Sequence, residues 1–198
     1  MMGRNPALDT VKNVLNQQRV RISFDIDDTL ACQPHHSAAE DSKLPECVHR
    51  WLGEPLRNGT RALIRELRRQ NCSIWVYTPS GRTPAYIRRW LLLYGIHVDG
   101  VVNSVRHGHA LAARGLSNAP SKLPTAFDID LHVDDSEDVQ IEGYDHGFRV
   151  VVVRPDDEQW AHKVLEAVAR VQAQLAWQQR PRRHKVPAPV YSGITLNG

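Results

Sequence analysis

The sequence predicts an α/β fold: a Rossmann-like three-layer sandwich around a central, mostly parallel five-stranded sheet. Two observations predict it. Five short runs rich in Val, Ile, Phe or Trp alternate with helix-like stretches, the pattern of a parallel sheet covered by helices. Three of those runs end in acids or a hydroxyl residue, and open parallel sheets hold their ligands at the carboxyl ends of the strands.

The elements follow in order. A short amphipathic helix is expected around Pro6 to Gln17, then a first strand over Val20 to Asp25. Residues Ala31 to Pro55, with clustered His, Cys, Pro and acids, fit neither periodicity and read as a long loop or small cap. Leu63, Ile64 and Leu67 mark a helix over Arg57 to Gln70, and Ser73 to Thr78 is the second strand. Thr83 can cap the next helix, to Tyr94, with Pro84 at its first position, where a missing N–H costs nothing. Strands follow at Gly100 to Asn103, Leu131 to Asp134 and Arg149 to Arg154. Trp160, Val164, Val168, Val171 and Leu175 form one stripe of a last helix from about Asp156 to Gln178, suited to packing on the sheet.

Composition bounds the rest. At 198 residues and 41% hydrophobic, the chain supports one sizeable core, so a single domain is expected over 1–177, with 31–55 as its small insert and 178–198 as a tail. No apolar run approaches the 18 or so residues of a membrane span, and "MMGRNPALDT" lacks the apolar stretch of a secretory signal. Three cysteines without repeated spacing do not suggest a disulfide framework, so a soluble, cytoplasmic protein with no membrane partner is expected. The net charge of +3 belongs to the tail: Arg180, Arg182, Arg183 and Lys185 stand there without an acid, leaving −1 elsewhere. That cluster could touch phosphates of RNA or DNA, but a solvated flexible end is the commoner meaning of a charged terminus.

The chemistry concentrates at the strand ends. "FDIDDTL" places Asp25, Asp27 and Asp28 within four positions, "VYTPSGR" carries Thr78 and Arg82, and "HVDDSEDV" carries Asp134 and Asp135. Like charges about 4 Å apart repel by roughly 1 kcal/mol in water and by several times that near an interior, so something positive belongs among them. Lys122 in "SKLPTAF", near an expected helix start, is one candidate, and Mg²⁺, which favours hard oxygen ligands, is another. Such a set suits phosphoryl transfer, with one carboxylate attacking phosphorus and a second, two positions on, supplying a proton. Asp138 reads either as a helix cap or as support for a metal's outer shell, and Arg82 and Arg154 as contacts to a substrate phosphate.

Taken in order, "FDIDDTL", "VYTPSGR", Lys122 and "HVDDSEDV" resemble the four ordered motifs of the haloacid dehalogenase (HAD) superfamily, mostly phosphatases and phosphotransferases. The resemblance spans about Val20 to Arg154 and implies a Mg²⁺-dependent phosphatase working through an aspartyl-phosphate. It implies Asp25 as nucleophile and metal ligand. Asp27 would be general acid and base, with its backbone carbonyl on the metal. Thr78 and Lys122 would hold the phosphoryl group, and Asp134 and Asp135 would bind the metal, Asp135 directly or through water. Asp28 stands where many members have Gly. Only about 25 residues are spare for a cap, so an open site is expected, suited to a large phosphorylated substrate or to a small one enclosed by the 31–55 loop or by a partner subunit of a homo-oligomer.

Other readings compete. A receiver-like signalling module gathers similar groups, but in receivers the acidic pair comes from the first strand and the Thr follows the acceptor Asp, whereas here "VDD" comes after Thr78 and Lys122. A catalytically idle phosphate-binding protein would keep the site without turnover, and a nucleic-acid-associated protein would rest on the tail alone. Cys32, His35, His36, Cys47 and His49 could supply four zinc ligands, though their spacing matches no standard finger; free thiols and solvent-facing imidazoles are the plainer expectation.

Overall fold

In the computed structural model, which describes residues 19–31, 38–41, 45, 47–48, 54–115 and 120–178, the sheet has five strands in the order β3-β2-β1-β4-β5, all parallel. They are β1 (Arg21–Phe24), β2 (Ser73–Tyr77), β3 (Gly100–Val102), β4 (Leu131–Asp134) and β5 (Val150–Val152). The helices are α1 (Thr60–Arg69), α2 (Pro84–Leu93), α3 (Ser104–Ala112), α4 (Glu137–His146) and α5 (Trp160–Gln178). A single 3₁₀ turn, Pro124–Phe127, precedes β4. The expected helix before β1, the zinc-like cluster apart from Cys47, and the tail beyond Gln178 lie outside the described residues.

Every predicted strand is present, the fourth with the expected bounds and the others trimmed at one or both ends, and the sheet is wholly rather than mostly parallel. Two helices begin later than periodicity suggests. Before α1, Gly59 takes a left-handed φ of 84°, which costs glycine nothing, and the chain turns there instead of starting the helix at Arg57. Before α5, Asp157 accepts from the backbone N–H of Gln159 and pairs with Lys163, so the acidic stretch 156–159 forms a turn rather than helix. The Thr83 cap is as expected: its side chain accepts from the Tyr86 N–H at 3.2 Å, with Pro84 following at the first helical position.

The sheet has two unlike faces because side chains alternate along each strand and partners across strands share a face. Ile22 and Phe24, Ile74 and Val76, Val101, and Leu131 and Val133 form one aliphatic face. It joins Leu63 and Leu67 of α1, Ile87 and Trp90 of α2, and Val164, Val168 and Val171 of α5 in one buried cluster, which is the main core. The other face carries Ser23, Trp75, Tyr77 and His132 and forms a smaller cluster with Val102, Ile129 and Phe127. Helix α3 packs at β3 on this side through His107 against Tyr77, and α4 reaches β5 where Gly143 meets Phe148 and Val150.

One glycine on this face has no substitute. A Cβ at Gly100 would lie 2.3 Å from the ring of Trp75, its neighbour across the β2–β3 register, and that indole is itself flanked by the guanidiniums of Arg21 and Arg106. Gly100→Ala is therefore expected to displace a ring fixed on both sides and destabilise the protein by about 1–3 kcal/mol. Urea unfolding would show this as a lower midpoint; an unchanged midpoint would mean that the Trp75 ring yields freely.

Candidate functional site

The parallel pairing of β1 with β4 builds the site. Phe24 lies opposite Val133, and the Asp25 N–H donates to the Val133 carbonyl at 2.9 Å, so the next residues of the two strands, Asp25 and Asp134, end up side by side at the carboxyl rim. Both are buried, at 5% and 1% exposed. Asp135 joins them: one carboxylate oxygen from each of the three acids lies within 4.8 Å of the others.

Lys122 is the buried counter-charge. Its Nζ lies 2.9 Å from Asp25 Oδ1 and donates to Asp134 Oδ2. The residue is only 3% exposed, and it sits in the loop two residues before the 3₁₀ turn, which is what stands at the helix start expected near it from sequence. Two anchors hold that loop. On one side, the Ser121 N–H and hydroxyl both bond the Glu142 carboxylate; on the other, the Leu123 N–H donates to the Tyr77 hydroxyl, which is 2.5 Å from His107 Nδ1. Sequence shows a lone lysine here, while the fold pins the residues on both sides of it.

One positive charge among three acids leaves the cluster short of cation. Burial pushes the Asp25 carboxyl up to about 7, with Lys122 opposing and Asp134 adding to the rise. Burial, and then Asp134, also raise Asp135. Asp134 goes the other way: burial works against its charge, but hydrogen bonds from His132 and Lys122 outweigh it and hold the carboxyl below the usual range. Asp25 Oδ1 is buried and, although Lys122 is near, receives no donor in hydrogen-bonding geometry. Three converging carboxylates with an unsatisfied buried oxygen fit a hard divalent cation such as Mg²⁺.

The remaining predicted residues stand around this cluster in different ways. Asp27 follows the strand into a turn in which the N–H groups of Thr29, Leu30 and Ala31 all reach the Ile26 carbonyl. Asp28 holds this turn with a φ of 55°, a left-handed conformation that Asp tolerates and Gly prefers, which gives a backbone reason for the Gly found there in proteins the motif resembles. The Asp27 side chain is 54% exposed and stands outside the three-carboxylate group. Arg82 grips it bidentately at 2.7 and 2.9 Å, and the same guanidinium bonds both oxygens of Glu54 at 2.8 Å. Arg82, read from sequence as a phosphate contact, thus already serves two carboxylates.

Thr78 is fully buried at the end of β2, where its hydroxyl donates to Ser80 Oγ and accepts from the Ser80 N–H. Asp138 is exposed in the first turn of α4, where Ser136 and not Asp138 holds the cap position and an acid suits the positive end of the helix dipole, and Arg154 is exposed and paired with Glu137. Sequence reasoning missed Ser23, Tyr77, Glu54 and above all His132. The signal for His132 was present, as a polar residue two positions before Asp134 in an otherwise apolar strand.

Among solved structures, one with modest likeness is that of a predicted HAD-like family hydrolase from Porphyromonas gingivalis; the match covers 77% of this chain and 97% of that one, at 13% identity and a TM-score of 0.39. No protein-family model and no curated protein sequence matches the chain. No described helix is long and apolar enough to cross a membrane.

The raised Asp25 carboxyl has a pH signature. Between the ordinary carboxyl value of roughly 4 and about 7, the unfolded chain gives up this proton while the folded chain keeps it, so this residue's contribution to stability falls as pH rises through that window. His132, held below its ordinary value by burial, pushes the opposite way over part of the same range, so a comparison of variants is cleaner than a single profile. Without added metal, Asp25→Asn is expected to be more stable than the unaltered protein at pH 7, by roughly 1–3 kcal/mol, with the advantage fading toward pH 4. Chemical denaturation in a chelator across pH 4 to 8 tests this; a pH-independent difference between the two proteins would contradict it.

Proposed function

We propose that the protein is a hydrolase of the HAD type, a Mg²⁺-dependent phosphatase acting on a phosphomonoester through an aspartyl-phosphate on Asp25. The observation that carries the proposal is the meeting of buried Asp25 and Asp134, both paired with Lys122, and half-buried Asp135 at the carboxyl rim of a parallel sheet. Asp25, Asp134 and Asp135 would hold the cation, with the backbone carbonyl of Asp27. When bound, it would offset the negative charge of the carboxylates and the phosphoryl group.

The chain's own groups account for the rest. Both Asp25 and Asp134 are buried, but the Asp134 oxygens are taken up by His132, Lys122 and Ser136 whereas Asp25 Oδ1 has no hydrogen-bond donor, so an Asp25 oxygen is the one assigned to attack phosphorus, forming a P–O bond while the bond to the leaving oxygen breaks. Lys122, with its ammonium already between Asp25 and Asp134, favours the ionised form of the nucleophile against its burial and faces the incoming negative charge. Asp27 is two positions on and solvent-accessible, which suits a group that must hand a proton to the leaving alkoxide and later take one from the hydrolytic water. The Arg82 and Glu54 pair sets where Asp27 points, and the Thr78 hydroxyl, now turned to Ser80, is the donor for a phosphoryl oxygen. Nothing in this scheme depends on the basic tail.

A panel of sugar phosphates, nucleotides and phosphopeptides assayed with Mg²⁺ tests the proposal. Phosphate release from at least one class is expected, abolished by chelation and reduced on the order of a thousandfold or more in Asp25→Asn. Rapid quenching with labelled substrate should trap phosphate on the protein, and the label should vanish in that variant. Full activity in Asp25→Asn would remove the nucleophile assignment, and no turnover across the panel would favour an idle binding protein.

A further inference from the structure

Behind Asp134 lies a buried polar chain that the proposed mechanism does not use. Ser23 and His132 are direct partners in the β1–β4 register, and both are 0% exposed. Ser23 Oγ is 2.8 Å from His132 Nδ1, and His132 Nε2 is 2.9 Å from Asp134 Oδ2. The ring of Tyr77 closes over the imidazole at 5.6 Å between centroids. On the other side of the same carboxylate, the Ser136 N–H donates to Asp134 Oδ1 at 3.0 Å.

The donor and acceptor roles follow from chemistry. An ionised carboxylate only accepts, so Nε2 carries the hydrogen toward Asp134; a neutral imidazole then leaves Nδ1 to accept from the Ser23 hydroxyl. With Ser136 on the opposite oxygen, the plane of the Asp134 carboxylate is set by strand and helix-start groups that do not depend on Lys122. Position 132 is fully buried against Tyr77 and opposite Ser23, a place an apolar side chain could also fill, and exchanging a buried polar pair for apolar groups of similar shape is often nearly neutral for folding. Packing alone therefore gives no reason for an imidazole here. Side chains that hydrogen-bond to metal ligands from behind fix their orientation, and losing one commonly costs 10–100-fold in metal affinity.

We propose that Ser23 and His132 form a positioning relay that holds the Asp134 carboxylate in place to receive the divalent cation. The relay rests on Asp134 being a cation ligand, so the experiment tests both. Manganese alone is titrated into the full chain, with free Mn²⁺ followed by electron paramagnetic resonance, for the unaltered protein and for Asp134→Asn, His132→Leu, His132→Gln and Ser23→Ala. Thermal unfolding of each metal-free variant is recorded in parallel.

Asp134→Asn is expected to abolish Mn²⁺ binding; if it binds like the unaltered protein, the cation site itself is wrong and the relay falls with it. Given that loss, His132→Leu is expected to bind roughly 10–100-fold more weakly, while His132→Gln, whose amide can still donate to Oδ2, stays within about threefold. Ser23→Ala, which removes only the oxygen that fixes the ring, is expected to weaken binding by roughly three- to tenfold and decides the matter if a His132 variant does not fold. Unchanged affinity in the folded His132→Leu or in Ser23→Ala, or a His132→Gln as weak as His132→Leu, would reduce the pair to core packing.

Discussion

The structure turns on one hydrogen-bonded register, that of β1 against β4. Because Ser23 faces His132 and Phe24 faces Val133, the next pair along the two strands is Asp25 and Asp134, two acids abutting in a buried position. A slip of either strand by one residue would turn its acid to the opposite face of the sheet, among the apolar side chains of the main core and away from Lys122. Burying Ile22, Phe24, Leu131 and Val133 therefore does more than stabilise the sheet. Each such side chain contributes about 1.5–3 kcal/mol on burial, and together they hold in register a rim that charge repulsion alone would push apart.

The same alternation explains why the chemistry sits on one face. The aliphatic face is closed by three helices, α1, α2 and α5, in a single continuous core. The other face is built from Ser23, Trp75, Tyr77 and His132, whose polar atoms each need a partner: Ser23 pairs with His132, His132 with Asp134, the Trp75 indole N–H donates to Ser73, and the Tyr77 hydroxyl meets the loop that carries Lys122. Tyr77 shows the economy of the arrangement: its hydroxyl anchors the Lys122 loop while its ring covers His132. Burial pushes the Tyr77 hydroxyl up to about 12, so it stays a neutral hydrogen-bonding group and adds no further negative charge beside the acids.

Much of this was legible in the sequence, for definable reasons. Strands such as "SIWVY" and "LHVD" are short, β-branched and bounded by turn residues, and their carboxyl ends carried the acids, so both the sheet and the Asp25, Asp134 and Asp135 cluster could be read before any coordinates. Helices α3 and α4 were hard to read because periodicity needs a buried stripe: α3 has no buried residue and α4 buries only Val139 and Gly143. Lys122 carries no local signal, since its position is set by Glu142 and Tyr77, the latter 45 residues before it in the chain. The pairing of Arg82 with Glu54 joins a strand end to the insert across 28 residues and has no periodic trace. Pattern reports what a segment does by itself; these contacts belong to the closed fold.

The two acids that begin the site show how environment divides one chemistry between like residues. Asp25 and Asp27 are separated by one residue, yet Asp25 ends a strand and is enclosed, while Asp27 has entered the turn held by the Ile26 carbonyl and faces solvent. Burial lifts the Asp25 carboxyl toward neutrality, so its anionic form exists at the expense of the surrounding cations, and that makes it sensitive to every charge nearby. Asp27 is held from outside by a guanidinium that Glu54 shares. Two positions of chain thus separate a carboxylate governed by the interior from one governed by a surface ion pair, and the different roles proposed for the two acids match that difference in surroundings.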